Sequence, residues 1–392
     1  MFAKRTNWKL EENAYTRALR KHREAGKHIL DLTASNPTTC GFQYDEAAIL
    51  SALRSPTALH YNPDPKGLRS ARKAVVQYYE EKGAHVDPER LLLTTGTSEA
   101  YSFLFRLLCE PGDEVLIADP SYPLFEFLAT IQDVTLRPFH LVYDHGWQID
   151  FASLRNAIGA RTRAVVLVHP NNPTGHFIAE GEARELNAIC AEHELALIVD
   201  EVFLDYEMRA PTAQKKKHGS FVSNAGTLTF VLSGLSKISA LPQMKVGWIA
   251  ASGPDSAVRD AMARLEVIAD TYLSLNAPLQ CALPALLAQR HAMQPQLMAR
   301  IEANLLELDE QLGRQKLASR LEVEGGWYAV LRVPAVQPDE ALAIRLLEER
   351  SVLVHPGHFY DFRDEGYLVA SLLPPADEFA EGARRLLGFV NK

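Results

Sequence analysis

Seven short apolar runs, separated by helix-forming segments, constrain the fold of this chain more than any other sequence feature. The runs are continuous in Val, Ile and Leu and do not alternate with polar residues. Strands of parallel sheets that are covered by helices on both faces have this composition. The sequence therefore predicts an α/β domain with a mainly parallel, seven-stranded sheet flanked by helices. The predicted strands are 91–94, 115–118, 134–139, 164–168, 196–199, 229–232 and 246–250.

The pattern changes near residue 285. A long amphipathic segment over 293–312 is followed by short apolar runs and a terminal helical pattern. These features predict a smaller α+β domain. We expect residues 45–284 to form the large domain, and residues 1–44 and 285–392 to form the small one. The elements predicted outside the large domain are a helix over 9–26, strands near 29–32, 321–323, 327–333, 352–354 and 367–371, and a helix over 377–390.

Composition and charge exclude several classes of protein. The formal net charge of -8 argues against a nucleic-acid-binding protein, because phosphate contacts require clustered Lys and Arg. We interpret the one compact basic run, 215–218, as a solvated loop. No apolar stretch has the length of a membrane helix, and residues 1–10 are too polar for a signal peptide. Four scattered cysteines indicate neither a disulfide framework nor a metal site, so we expect a cytoplasmic location.

Lys237 occupies an unusual place, inside a segment of small residues between the predicted strands 229–232 and 246–250. Lysine is the side chain that forms Schiff bases with carbonyl groups, including that of pyridoxal phosphate, and burial activates its amine. A solvated lysine in a connecting loop fits this stretch equally well when the stretch is taken by itself.

The loop that follows the predicted strand 91–94 is suited to a phosphate group. Gly96, Thr97 and Ser98 open a predicted helix, and they offer backbone N–H groups and hydroxyls at its N-terminus. An ordinary helix-capping sequence, Thr or Ser before Glu, is the alternative interpretation.

Three further strand ends carry polar or aromatic residues, where open α/β sheets bind their ligands. Tyr122 can stack on a planar ring, although packing in a proline-flanked turn is equally consistent with it. Asn172 offers an amide donor within a turn fixed by proline and glycine. Asp200 ends an apolar run, and a carboxylate buried there requires a cationic partner such as a protonated pyridine nitrogen.

The ordered set of these motifs resembles the class I/II aminotransferases, a family of fold-type-I pyridoxal-phosphate enzymes. The resemblance extends from about Leu30 to the C-terminus, and it implies pyridoxal 5'-phosphate as the cofactor. It also implies an amino acid and a 2-oxo acid as substrates, and a homodimer with shared active sites. The matching segments are 96–100, 119–123, 171–175, 200–202 and Ser236-Lys237, with Lys245 eight positions further on.

The resemblance implies a role for each matching residue. Lys237 would hold the cofactor as an internal aldimine and then, once freed, move a proton from the substrate Cα. The other implied roles are Asp200 at the pyridine nitrogen, Asn172 at the phenolic oxygen, Tyr122 on the ring face, Gly96, Thr97 and Ser98 at the phosphate, and Tyr61 at the phosphate of a partner subunit.

Three departures from the family pattern surround the implied cofactor site. Lys245 stands where most relatives have a phosphate-binding Arg, so the charge is kept but the bidentate fork is lost. Gly234 stands where many relatives have a Ser, and Ser233 or Ser236 are the candidate replacements. Phe203 stands where many relatives have a Tyr whose hydroxyl also bonds the phenolic oxygen.

The most consequential departure is Val369, near which relatives carry an Arg that clamps the substrate carboxylate. The substrate class is therefore open at this point, as is the choice between transamination, C–S β-elimination and decarboxylation. A regulatory protein that keeps the cofactor fold without catalysis is a further alternative. Candidate substrate contacts are Ser35, Asn172, His355 and His358, with Arg332 and Arg363 as other cations nearby in the sequence.

Overall fold

The computed structural model describes residues 1–122, 124–208 and 218–391, so Pro123 and the basic positions 215–217 lie outside the described residues. No helix in the described part combines the length and apolarity needed to cross a bilayer. The strands are β1 Leu30–Asp31, β2 Leu91–Thr94, β3 Glu114–Asp119, β4 Thr135–Tyr143, β5 Trp147–Ile149, β6 Thr162–Val168, β7 Ala196–Asp200, β8 Thr229–Gly234, β9 Gly247–Ser252, β10 Ser319–Arg320, β11 Tyr328–Arg332, β12 Val352–Leu353, β13 His355–Pro356 and β14 Tyr367–Ser371.

Helices cover the sheets and connect the strands. They are α1 Ala14–Glu24, α2 Glu46–Ala52, α3 Arg69–Glu81, α4 Thr97–Leu108, α5 Phe125–Ile131, α6 Phe151–Ala157, α7 Glu180–Glu192, α8 Leu235–Ile238, α9 Asp255–Asp270, α10 Ala277–Ala288, α11 Arg290–Leu312, α12 Asp339–Arg350 and α13 Ala376–Val390.

The central sheet has the strand order β2-β9-β8-β7-β6-β3-β4-β5. Strands β3, β4, β6, β7 and β8 pair in parallel, whereas β9 runs antiparallel to both β8 and β2. The prediction of a mainly parallel sheet flanked by helices is confirmed. The sheet has eight strands and not seven, because the short strand β5 pairs antiparallel with β4 at one edge.

Successive residues of the central strands pack into two separate cores on opposite faces of the sheet. On β6, Val165 and Leu167 belong to one core, which includes residues of α3, α7 and α10. Val166 and Val168 belong to the other core, which includes residues of α4 and α9. Burial on both faces explains why these strands read as continuous apolar runs.

A third core joins the N-terminal and C-terminal segments around a second sheet, β10-β11-β14-β13. Helices α1, α11, α12 and α13 contribute to it, and β1 pairs in parallel with β12. Phe203 and Tyr206, which follow β7, also pack into this core. The domain bounds at 44/45 and 284/285 stay a prediction, and helix α10 runs across the second of them.

The structure differs from the predicted elements in a few places. Helix α1 begins at Ala14 and not near residue 9, because the Asn13 side chain accepts a hydrogen bond from the Thr16 N–H and so caps the helix there. The short strand expected near 321–323 lies earlier, at β10. Helices α2, α9, α10 and α12 were not predicted as helices from the sequence patterns.

Candidate active site

The residues predicted at the cofactor ring and its phosphate meet at the carboxyl ends of the parallel strands of the central sheet. We call this end of the sheet the site edge. Asp200 ends β7, Asn172 follows β6, and Tyr122 follows β3. Lys237 lies in α8, directly after β8. Because β9 runs against its neighbours, it begins at this same edge, and Lys245 lies two residues before its first residue. Topology thus assembles side chains that are distant in sequence.

The amine of Lys237 lies between two aromatic rings. Its Nζ is 5.3 Å from the ring centroid of Phe203 and 4.5 Å from that of Trp327. Burial lowers the pKa of this amine to about 8, although the nearby carboxylate of Asp200 opposes the shift. The shift makes the unprotonated, nucleophilic form of Lys237 more accessible near neutral pH than it is for an exposed lysine, as Schiff-base chemistry requires.

The carboxylate of Asp200 is buried among few partners. The Val202 N–H donates to Oδ1 at 3.1 Å, and the Tyr101 hydroxyl donates to Oδ2 at 3.3 Å. Burial raises the pKa of Asp200 to about 6, against the opposing effects of both hydrogen bonds and of Lys237. A cation placed against this carboxylate would offset the cost of its burial.

The N-terminus of helix α4 forms an open, positively charged end of the site. No side chain caps this helix. A Cβ built on Gly96 would lie 3.9 Å from Nζ of Lys245, so this ammonium group borders the loop before the helix. A Cβ on Gly247 would lie only 2.8 Å from Cα of Gly96, so only glycine at position 247 lets the start of β9 pack this closely against the loop before α4. Helix N–H groups and an ammonium group together suit a phosphate.

The described residues of the site contain polar atoms that lack a protein partner. Oδ1 of Asn172 and Oγ of Ser233 are both buried without a hydrogen bond. Unpaired buried polar atoms are costly unless a ligand satisfies them. Together with the buried Asp200 and the uncapped helix beside Lys245, they fit a ligand that has a phosphate, a cationic ring nitrogen and polar ring substituents. Pyridoxal phosphate has all three.

The remaining predicted cofactor contacts lie at or near this edge, with one exception. Ser236 is partly exposed in α8, and Tyr122 is partly exposed, 6.1 Å from Phe125 between ring centroids. Thr97 and Ser98 form the first turn of α4. Tyr61 is the exception, because it lies in an exposed loop with 84% of its surface accessible. Within the described residues it forms no hydrogen bond or ring contact with the other site residues of its own chain.

Two of the predicted substrate contacts interact with tyrosine side chains, and a third is exposed at a cavity. Ser35 interacts with Tyr328, and His355 accepts or donates a hydrogen bond with the Tyr360 hydroxyl at 3.1 Å. His358 is exposed and lines a cavity of about 1190 Å³ that also reaches Tyr122.

Within the described part of the chain, the two arginines that are near these residues in sequence form no hydrogen bond with them. Arg363 pairs with Asp119 and contacts His140, and Arg332 is exposed at the end of β11.

Sequence patterns did not identify several residues of the site. Tyr101 lies inside α4, one turn after the loop motif, and carries no motif of its own. Trp327, Tyr328 and Tyr360 come from the C-terminal segment, where the sequence indicated His355 and His358 as candidates but none of these three aromatic residues. Trp327 and Tyr328 contribute by tertiary packing against Lys237 or Phe203, and Tyr360 packs against Tyr328.

Comparison with known proteins decides the family. The family model described as aminotransferase class I and II matches residues 27–371. The chain belongs to this aminotransferase family. Members of the family depend on pyridoxal phosphate, so the chain is a pyridoxal-phosphate-dependent aminotransferase whose substrates are amino acids and 2-oxo acids.

Named relatives of this aminotransferase match it over most of its length. The glutamate-pyruvate aminotransferase AlaA of Haemophilus influenzae is 26% identical over 376 residues, which cover 94% of this chain and 92% of that protein. An alanine aminotransferase of Mycobacterium tuberculosis is 28% identical over 383 residues, covering 93% and 86%. The solved structure of an alanine aminotransferase from Pyrococcus furiosus superposes with a TM-score of 0.88 at 24% identity, covering 100% and 99%, and supports the fold.

Proposed function

We propose that this aminotransferase forms its cofactor linkage through Lys237 and uses the same amine as the base at the substrate Cα. The observation that carries the proposal is the half-buried amine of Lys237, which lies between two aromatic rings near Asp200 and has a pKa lowered to about 8. With the cofactor bound, the free amine of Lys237 would be the group placed to take a proton from the substrate Cα and return it.

Pyridoxal phosphate, when bound, supplies an electron-withdrawing ring that accepts the electron pair left behind when a bond to the substrate Cα breaks. Asp200 would favour the protonated form of the ring nitrogen, and Tyr101 holds the Asp200 carboxylate in place by its hydrogen bond. Asn172 would donate to the phenolic oxygen, and Tyr122 would cover one ring face. Lys245, with the N–H groups of α4 and the hydroxyls of Ser233 or Ser236, would neutralise the phosphate.

Phe203 lies beside Lys237 but has no hydroxyl to offer the ligand. Asn172 would therefore hold the phenolic oxygen alone. With one hydrogen bond fewer to the deprotonated oxygen, the lysine-linked cofactor would titrate at a higher pH than in relatives that have a Tyr at this position.

We propose alanine or glutamate as the amino donor and a short 2-oxo acid as the acceptor. The support is that the relatives named above are alanine and glutamate-pyruvate aminotransferases and match more than nine-tenths of this chain. The test is to add a panel of amino acids to the purified holoenzyme. Conversion of the cofactor absorbance to that of the pyridoxamine form, reversed by a 2-oxo acid, is the expected result.

Release of ammonia and pyruvate without that conversion would instead identify β-elimination, and carbon dioxide release would identify decarboxylation. The matched control is Lys237→Ala, which should lose the absorbance of the lysine-linked cofactor. If wild type and Lys237→Ala have the same absorbance, the role proposed for Lys237 is wrong.

We also propose a homodimer in which Tyr61 contributes to the partner's phosphate site. Tyr61 and Leu59 are 84% and 89% exposed, so both side chains are accessible to a partner subunit. Mixing inactive Lys237→Ala subunits with inactive Tyr61→Ala subunits tests the proposal, because one site of the mixed dimer would be intact. No recovery of activity after subunit exchange would contradict the shared site. A cytoplasmic location stays a prediction.

A further inference from the structure

We propose that His355, positioned by Tyr360, binds the carboxylate of the amino-acid substrate. The inference rests on the proposed function, because it requires an amino acid to react at Lys237. The expected cation for that carboxylate is missing, because the side chain at position 369 is a buried valine. The two nearby arginines do not replace it, since Arg363 pairs with Asp119 and Arg332 is exposed.

Strand register places His355 on the same face of the second sheet as Tyr328. Tyr328 and Val330 share one face of β11, since side chains alternate along a strand. Val330 is paired with Val369 on β14, and Val369 is paired with His355 on β13. Directly paired residues project to the same face, so His355 and Tyr328 lie on one face.

Aromatic contacts connect this face to the reactive amine. The ring centroid of Tyr328 is 6.4 Å from that of Phe203, and Phe203 is 5.3 Å from Nζ of Lys237. Tyr328 is also 6.4 Å from the ring of Tyr360, which bonds His355. Contacts therefore run from Lys237 through the rings of Phe203, Tyr328 and Tyr360 to His355, so the imidazole and the reactive amine border one aromatic cluster.

The hydrogen bond to Tyr360 leaves one imidazole nitrogen for a ligand. When the Tyr360 hydroxyl donates to Nδ1 of His355, the imidazole proton resides on Nε2. No protein group within the described residues forms a hydrogen bond with Nε2 of His355. The Tyr360 carbonyl accepts from the Ser121 N–H at 2.9 Å, so this unit is fixed to the loop that carries Tyr122.

The surroundings of His355 couple carboxylate binding to proton uptake. The titratable groups around it are Asp31, Tyr360 and Tyr15, whose hydroxyl donates to the Val354 carbonyl, while Val369 on β14 is apolar. Burial lowers the pKa of His355, and Asp31 opposes this effect. The free imidazole is thus shifted towards its neutral form, and a bound carboxylate would stabilise its charged form.

The experiment compares L-alanine with ethylamine, which is the same molecule without its carboxylate. Both are mixed rapidly with wild-type holoenzyme and with His355→Gln, the initial absorbance change that precedes conversion of the cofactor is followed, and the ratio of the two dissociation constants is taken at several pH values. The ratio cancels the protonation of the amine itself. We expect wild type to prefer alanine, with a preference that falls by up to about tenfold per pH unit above the pKa of free His355.

His355→Gln should weaken alanine binding by about 10- to 100-fold, remove the pH dependence of the ratio and leave ethylamine binding unchanged. Tyr360→Phe should give a smaller loss in the same direction, because it frees the imidazole without removing it. His193→Gln is the matched control, since His193 is exposed and follows helix α7 of the central-sheet domain. Calorimetry in two buffers gives a second measurement, in which wild type takes up more protons with alanine than with ethylamine.

Three outcomes are distinguishable. Loss of the alanine preference in His355→Gln, with ethylamine binding intact, supports the proposal. An unchanged, pH-dependent preference in His355→Gln overturns it but leaves the proposed aminotransferase chemistry standing. If neither ligand alters the absorbance of the wild-type holoenzyme, the proposed function fails, and the role of His355 fails with it.

Discussion

His176 links three parts of the structure through a buried charge, and its removal should make stability depend differently on pH. It lies in the loop after β6 that also carries Asn172. Its Nε2 is 3.1 Å from Glu182 on α7, and its Nδ1 is 3.5 Å from Glu324, which precedes β11. The first contact is a hydrogen bond and the second a longer ion-pair contact, so Glu182 provides the larger share of the stabilisation.

The magnitude follows from the pKa of His176. Burial opposes the charged imidazole, but Glu182 and Glu324 outweigh this effect and raise the pKa from 6.5 to about 9. A group whose pKa is raised by folding stabilises the protein fully below the unfolded value and loses this contribution as pH rises through the folded value. The contribution is therefore present below about pH 6.5, is lost through about pH 9, and has an upper limit of about 3 kcal/mol.

The variant His176→Gln removes the charge and keeps a polar side chain of similar size. Urea unfolding of wild type and variant, followed by tryptophan fluorescence at one protein concentration, gives the difference in unfolding free energy at about pH 6 and about pH 10. We expect the difference to be larger at the lower pH by about 2–3 kcal/mol. His193→Gln, in an exposed position after α7, is the control. A difference that is equal at both pH values would refute the reasoning.

Three further predictions concern the cofactor site. Phe203→Tyr should lower the pKa at which the lysine-linked cofactor changes its absorbance, and a spectral titration that finds this pKa unmoved or raised would contradict the role of Asn172 as sole donor. Gly247→Ala should displace Gly96, destabilise the protein by about 1–3 kcal/mol and weaken cofactor binding, as measured by denaturation and equilibrium dialysis. Tyr101→Phe removes the 3.3 Å hydrogen bond to Asp200 and should weaken cofactor binding by about fivefold, whereas unchanged binding would show that this contact is dispensable.

The strand-end residues were predictable from the sequence for a physical reason. Lys237, Asp200 and Asn172 each follow an apolar run, and parallel strands bring such positions to one edge. Tyr101 and Tyr360 were not predictable, because their roles depend on which elements pack together and not on local patterns.

The missed elements have local explanations as well. Helix α10 contains Pro284 in its interior and is apolar around most of its surface, so it lacks the amphipathic period by which helices are recognised. Helix α2 has only seven residues and β5 only three, which is too short for a periodic signal. Strand β9 was predicted as a strand, but its direction depends on the connection that precedes it.

The reversed direction of β9 has a consequence for protein engineering. Lys237 and Lys245 lie in the single connecting segment between β8 and β9, which begins and ends at the same end of the sheet. The number of residues between the two lysines therefore limits the distance between their amines. Deleting one residue from 239–244 would shift the register of β9 or pull Lys245 away from Gly96. Variant libraries in this connection should therefore keep its length fixed. Insertions after Ser252 lie outside the connection and do not change the spacing of the two lysines.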